Sequence, residues 1–271
     1  MKIAIIAHGG SGRWPASETP KALELLDEAT ELGLELLKTG GSSRDAVENA
    51  INHLEDSGYF NAGRGSIVQM DGKIRMDAAI MDSRLNCGAV GAIEDIQRPI
   101  SVARKVMENT DHVLLVSKYA TDFAVKNGFE RVKFKPRYAY KNNKMIHLET
   151  VGSIAIDKKG IITVGASTGG RSGMLPGRVG DTAIIGAGVY ANEFAGATST
   201  GVGESFIKTT AVRKAVDFVE AGLSPQEAAK KCIRILGEKT GHTGGMIVLD
   251  KKGNYGAFHS SKDMPFSYKS A

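Results

Sequence analysis

The sequence predicts an α+β fold of antiparallel sheets covered by helix layers. Three observations predict it. Apolar runs meet across short turns at Asp71–Gly72, Asp157–Gly160 and Asp250–Gly253, and turns of that kind join antiparallel neighbours. Helical periodicity comes in consecutive pairs, over 20–38 and 42–56 and again over 203–221 and 224–237, whereas a doubly wound parallel sheet alternates helix with strand. The chain has 271 residues, 42% hydrophobic and 24% charged, which suits one large domain or two small ones with an ordinary core.

Taken in order, "KIAIIA" over 2–7 reads as a first, buried strand. Residues 20–38 carry apolar positions at helical spacing and stop at Gly40-Gly41. "SSRDAVENAINHLED" is a second helix, with serines to cap it and Ala46, Val47, Ala50, Ile51 and Leu54 on one face. "GSIVQMDGKIRMDAAIMD" reads as a hairpin turning at Asp71-Gly72. "SVARKVMEN", "HVLLVS" and "KYATDFAVKNG" follow as helix, strand and helix. Residues 129–149 read as a mobile linker, basic and without a clean period. "GSIAIDKKGIITVGAS" and "GGMIVLDKKGNYGAFHS" are two nearly repeated hairpins. Between them lie two amphipathic helices, the second opened by Ser224 and Pro225.

Composition narrows the chemistry. The net charge of +5 sits largely in the linker, where Arg131, Lys133, Lys135, Arg137, Lys141 and Lys144 face no acid. That reads as solvated chain rather than a nucleic-acid surface, because Tyr138 and Tyr140 are too few for a stacking platform. No targeting signal opens the chain, and no apolar run reaches the roughly 20 residues of a membrane span. Two cysteines, Cys87 and Cys232, fit a reducing compartment, and the cytoplasm is the expected location. Of the histidines, His8 alone is flanked by loop glycines, and it reads as a structural hydrogen-bonder. Glycine, at 33 residues, is the outlier, gathered in loops that can bring backbone N–H groups to a ligand. "GAGVYA" lacks the third glycine of a dinucleotide fingerprint, "GRSGMLPGRVGD" lacks the P-loop Gly-Lys-Ser/Thr, and no G-x-S-x-G elbow is present.

A threonine nucleophile remains. Thr150 stands where the linker meets the strand "VGSIAID". Its hydroxyl needs a base, and its own α-amine, with a pKa of about 7.7–8, is suited to proton transfer near neutrality. That amine exists only if the Glu149–Thr150 bond is cut.

The ordered set "ETVGSIAID", "ASTGG", "PGRVGD" and "STGVGE", together with "AHGGSG", "FNAGRGSI" and "MDAAIMD", resembles the plant-type L-asparaginase and isoaspartyl peptidase family over nearly the whole chain. The resemblance implies an N-terminal-nucleophile hydrolase, a four-layer αββα sandwich over 1–271. It would cut itself into an α chain, 1–149, and a β chain, 150–271. By motif, Thr150 is the nucleophile and Thr168 orients it. Asn61 and Thr200 match oxyanion donors. Arg178 and Asp181 hold the substrate's α-carboxylate and α-ammonium, and Gly201 and Gly203 line the pocket. The implied activity is hydrolysis of L-asparagine and β-aspartyl dipeptides, without a catalytic cofactor, in a homodimer of processed units with neither nucleic acid nor membrane as partner. A structural sodium ion is also implied, held by the backbone of Leu54, Glu55, Ser57, Phe60, Ala62 and Arg64. One residue departs from the pattern: the asparaginase branch usually has Gly before the nucleophile and the glycosylasparaginase branch Asp, where this chain has Glu149. A glycosylasparaginase, a threonine endopeptidase of the same fold and an unprocessed binding module stand as alternatives.

Overall fold

The computed structural model describes residues 2–134 and 150–271. Strand β1, Ala4–His8, alternates its side chains between two cores. Ile5 and Ala7 face helices, while Ala4 and Ile6 face a second sheet. Helix α1, Thr19–Lys38, opens with a proline in its first turn. Helix α2, Ser43–Ser57, begins at a reciprocal cap between Ser42 and Asp45 and ends at Gly58, whose φ is +63°. Then come β2, Met76–Asp82; β3, Cys87–Ile93; α3, Pro99–Asn109; β4, Leu114–Val116; and α4, Ser117–Lys126. The second part holds β5, Val151–Ile156; β6, Ile162–Thr168; β7, Val189–Ala191; and β8, Ala195–Gly201. It continues through α5, Gly203–Thr209; α6, Ala211–Glu220; α7, Pro225–Thr240; β9, Gly244–Asp250; β10, Tyr255–His259; and β11, Phe266–Ser270.

One sheet runs β11-β1-β5-β6-β2-β3-β4 and the other β10-β9-β8-β7. All named strand pairs are antiparallel except β3 with β4. Three apolar clusters define the layers. One joins α1–α4 to the outer face of the large sheet. A second lies between the sheets, through Ile6, Ile154, Val164, Val189 and Ile247. The third joins α6 and α7 to the outer face of the small sheet, through Ala197, Val212, Ile233 and Val248. The expected helix–sheet–sheet–helix sandwich is therefore present, and each strand needs two apolar faces. Among the described residues, no helix is long and apolar enough to cross a membrane.

Three expectations need correction. Asp71-Gly72 is a turn, with Gly72 N–H donating to Gln69 O at 3.0 Å, but no strand enters it. Residues 65–67 spend their N–H groups locally, on Ala62 O, Gly63 O and the Asn61 side chain. The hairpin partner of β2 is β3, across a turn held by Asp82, whose Oδ1 accepts from Arg84 and Asn86 N–H at 2.8 and 3.1 Å. The helix expected over 203–221 breaks at Thr210, φ +47°, which lets α5 run past residues 181–183 while α6 lies on β7 and β8. The expected mobile linker is fastened at its start. Val132 N–H donates to Asp95 O at 2.8 Å, and Phe129 and Phe134 pack on the core. Its remainder, with Lys135, Arg137, Tyr138, Tyr140, Lys141, Lys144 and the cleavage residue Glu149, lies outside the described residues.

Candidate active site

The open ends of three neighbouring strands make the floor of the site. Val151 pairs with Ser167, and Asp77 with Thr168. One further step of the β5–β6 register sets half-buried Thr150 opposite Thr168. Thr150, Thr168 and Asp77 thus form one row across β5, β6 and β2. Alternation directs this row toward the small sheet, as it does Ile154, Val164 and Ala79. From that sheet β8 presents Thr198 and Thr200, since Ala195 and Ala197 take the other face.

The hydroxyls are oriented by backbone donors. Thr168 Oγ1 accepts from Gly170 N–H at 3.1 Å, which leaves its proton free to donate. Thr200 Oγ1 accepts from Ser11 N–H at 3.0 Å with the same result. Asn61 is fully buried beside them. Its Oδ1 accepts from Ile67 N–H at 3.1 Å, and its Nδ2 donates to Gly170 O at 2.6 Å. His8 pairs across the ladder with Gly152. Burial pushes its pKa down to about 3, weakly opposed by the Thr150 backbone. Neither ring nitrogen has a hydrogen bond of good geometry among the described residues. The Thr150 backbone is thus the ring's one loose hydrogen-bonding neighbour among the described residues, a weak form of the structural role expected of His8, and the ring is a neutral, packed wall.

Arg178 and Asp181 flank this floor. Arg178 Nε donates to Glu204 Oε1 at 3.0 Å. Burial alone would raise the Glu204 carboxyl, but the Arg178 hydrogen bond and charge hold it down at about 2. Asp181 is buried, and its Oδ2 accepts from Ser199 Oγ at 3.0 Å. Desolvation pushes it up to about 6, against Ser199 and Arg178. The two residues converge on Gly203, where an added Cβ would lie 2.5 Å from Asp181 Oδ1 and 2.8 Å from Arg178 Nη2. Only glycine leaves that space open. Gly201, φ +137°, ends β8 two residues before it.

The whole chain carries this arrangement in a known order. A family model described as Asparaginase matches residues 1–145 and 133–271. The chain belongs to the asparaginase family. The plant-type L-asparaginase of Pyrococcus abyssi is 45% identical to it over 294 aligned residues, covering 98% of this chain and 96% of that one. The isoaspartyl peptidase/L-asparaginase of Xenopus laevis is 39% identical, covering 98% and 92%. That of Rattus norvegicus is 37% identical, covering 98% and 86%. The asparaginase family comprises N-terminal-nucleophile hydrolases.

The loop expected to hold sodium closes α2. The carbonyls of Leu54, Glu55 and Ser57 fall in its last turn, where the backbone N–H donors of the helix run out, and Leu54 O accepts from Ser57 Oγ at 2.7 Å. Phe60 O and Ala62 O each accept one backbone N–H, at 2.9 and 3.0 Å, which leaves a second lone pair on each. The Phe60 and Gly58 carbonyls press on the Cα of Gly65, which has no room for a Cβ. Arg64 lies in the short 3₁₀ turn, Gly63–Gly65, inside this loop. Backbone oxygens are the ligand type that a hard cation takes. No cluster of metal-binding side chains occurs among the described residues.

Sequence reasoning did not single out Asp77, Ser199, Glu204 or Ser11. Asp77 offered one signal: an acid inside a strand of small and apolar residues, "MDAAIMD".

Proposed function

We propose that this asparaginase-family chain cuts itself before Thr150 and then hydrolyses the side-chain amide of L-asparagine and of β-aspartyl dipeptides. The observation that carries the reading is the row of Thr150 and Thr168 flanked by Arg178 and Asp181 around an open Gly203. In the cut, Thr150 Oγ attacks the Glu149 carbonyl carbon, the C–N bond breaks, and the resulting ester is opened by water. The freed α-amine is the base of the catalytic cycle. It takes the Thr150 hydroxyl proton as Oγ attacks the β-carboxamide carbon, and Thr168 orients that hydroxyl. Negative charge develops on the amide oxygen, where Thr200 and Asn61 are the proposed donors; losing one such donor typically costs about 2.7–4 kcal/mol of barrier. Ammonia or an amino acid leaves with the proton. Water, deprotonated by the same amine, resolves the β-aspartyl ester.

Arg178 answers the substrate's α-carboxylate through paired N–H groups, and Asp181 answers its α-ammonium. Gly201 and Gly203 line the pocket. The scheme calls for no catalytic cofactor. The gathered carbonyls of residues 54–64 support a structural sodium that steadies the loop around Asn61. We place the processed enzyme in the cytoplasm as a homodimer of αβ units, consistent with free Cys87 and Cys232. Four substrates test the reading. L-asparagine and β-Asp-Leu should be hydrolysed, while α-Asp-Leu and N-acetyl-asparagine should be inert. Fast turnover of either of the last two would overturn the substrate assignment.

A further inference from the structure

The carboxylate of Asp77 is not explained by packing. The residue is 3% exposed and lies inside β2. Its two oxygens are taken by backbone donors from two distant segments. Oδ1 accepts from Ala92 N–H at 2.8 Å, and Oδ2 accepts from Gly180 N–H at 2.7 Å. The structure goes to some length to arrange this. The β2–β3 ladder shifts between Met76 and Ala78: Gly91 and Ala92 of β3 together oppose Asp77, a bulge on the partner strand. Ala92 adopts φ +49°, a conformation costly for a residue with a Cβ. Bulges re-aim side chains near functional sites. Here the bulge and the left-handed residue together turn the Ala92 N–H out of the ladder toward one oxygen, and the other oxygen is met by residue 180.

Residue 180 matters because of its neighbours: Arg178 stands two residues before it and Asp181 follows it. Asp77 also sits in the row of Thr150 and Thr168, opposite Thr168 on the adjacent strand. Neighbouring strands lie about 4.8 Å apart, so Thr150, two strands from Asp77, is separated from the anchor of the clamp by about 10 Å of sheet. The other backbone bonds of the clamp segment lie within turns, Arg178 N–H to Leu175 O at 3.1 Å and Ile184 N–H to Asp181 O at 2.8 Å, while its side chains reach Glu204, Ser199 and, through Val179, the core between the sheets. Through Asp77, the clamp is measured from the same sheet that holds the nucleophile. Ionising this buried group runs against desolvation, which pushes it up to about 6 against its two backbone donors.

We propose that Asp77 is a positioning residue that sets the clamp of Arg178 and Asp181 at its working distance from Thr150. Asparagine cannot replace it, because its amide has one acceptor oxygen and would turn its NH2 against the second backbone N–H. The inference rests on the proposed function for the identity of the clamp's ligand.

The test compares Asp77→Asn with Asp82→Asn. Asp82 is the buried acid at the other end of β2, paired with Arg44 away from the clamp. Asp77→Asn should still mature into two chains, because cleavage makes no use of the clamp. Its KM for L-asparagine should rise at least tenfold, with kcat changed only a few-fold. Its preference for L-asparagine over succinamate, which lacks the α-ammonium, should collapse. Its affinity for L-aspartate by calorimetry should fall at least tenfold. Asp82→Asn should lower Tm and leave KM and that preference alone. The proposal is overturned if Asp77→Asn lowers Tm but leaves KM, the preference and aspartate binding unchanged, or if it blocks maturation. If the wild type binds L-aspartate but hydrolyses no amide, the proposed function fails, and a loss of aspartate binding in Asp77→Asn still supports the positioning role.

Discussion

Two hairpins in this molecule share one turn and do different things. Both turn through Asp-Lys-Lys-Gly, at 157–160 and 250–253. In the first, Asp157 Oδ1 accepts from Lys159 and Ile161 N–H at 2.9 and 3.1 Å, and Gly160 has φ +76°. In the second, Asp250 Oδ1 accepts from Lys252 and Asn254 N–H at 2.8 Å each, and Gly253 has φ +77°. Each is preceded, seven residues before its aspartate, by a threonine: Thr150 in one and Thr243 in the other. The turn chemistry and the spacing are shared, yet Thr150 faces Thr168 and a clamp, whereas Thr243 is exposed. The local code of a hairpin settles its bend and register. Its chemistry comes from what other segments bring to its open end.

Matched substitutions sharpen that contrast, and the open ends should show the largest effect. Thr150→Ala should stay a single 28.8 kDa band on a denaturing gel and be inactive. Thr243→Ala should mature and turn over within twofold of wild type. If Thr150→Ala is still cut before residue 150, the nucleophile is misassigned.

The next effect comes from the buried acid beside the first hairpin's open end; the second opens on Gly244 and Gly245. Only ionised Asp181 can answer an ammonium, so KM for L-asparagine should rise as pH falls through about 6. The Thr150 amine must be neutral to act as base, so kcat should fall earlier on the way down, as pH drops through about 7.7–8. Stability should run the other way. Asp181 is raised from 3.8 to about 6 in the fold, so its contribution is present below 3.8 and lost as pH rises through 6. Asp181→Asn should therefore melt higher than wild type at pH 7 while binding substrate poorly. An unchanged or lower Tm at that pH would contradict the burial argument.

The closed ends differ less. Asp157 Oδ2 also accepts from Ser43 N–H and Oγ, at 3.0 and 3.1 Å, so it ties the hairpin to the start of α2. Asp250 Oδ2 accepts only from Asn254 Nδ2, at 2.9 Å. Asp157→Ala strands a buried N–H and should cost about 3 kcal/mol in a denaturant titration, against about 1 kcal/mol for Asp250→Ala. Smallest and nearly equal should be Gly160→Ala and Gly253→Ala, about 1 kcal/mol each, since both glycines hold the same left-handed turn.

Where the backbone answers to its own sequence, the chain was readable. The reciprocal caps of α2 and α7, at Ser42–Asp45 and Ser224–Glu227, lie where serine and acid three residues on suggest them. So do both Asp-Lys-Lys-Gly turns. The strands "CGAVGAI" and "AGATSTG" were not read as strands, because small residues there meet the needs of neighbours rather than strand propensity. Gly88 in β3 abuts the backbone of α3 at Ala103 and Met107, and Thr198 in β8 abuts Gly152 across the sandwich. The same holds in the site. Thr150, Thr168, Asn61, Arg178, Asp181 and Thr200 stand inside recognisable motifs. Asp77 stands in one too, "MDAAIMD", but its task does not show there, because its partner Gly180 is 103 residues away. Glu204 belongs to "STGVGE", but its pairing with Arg178 exists only after folding.

Strand order in the large sheet has a consequence for the two products of a cut before Thr150. β1, from the first piece, lies between β11 and β5 of the second; the β5–β6 pair of the second lies between β1 and β2 of the first. The pieces interlock like clasped fingers. Neither can leave without opening at least two strand ladders, so the severed enzyme behaves as one particle under native conditions. Denaturation removes that protection. Once the pieces drift apart, refolding becomes a second-order encounter whose yield falls on dilution, while the uncut precursor refolds at a rate independent of concentration. A cut before Thr150 would thus convert a reversible folder into one that is assembled once.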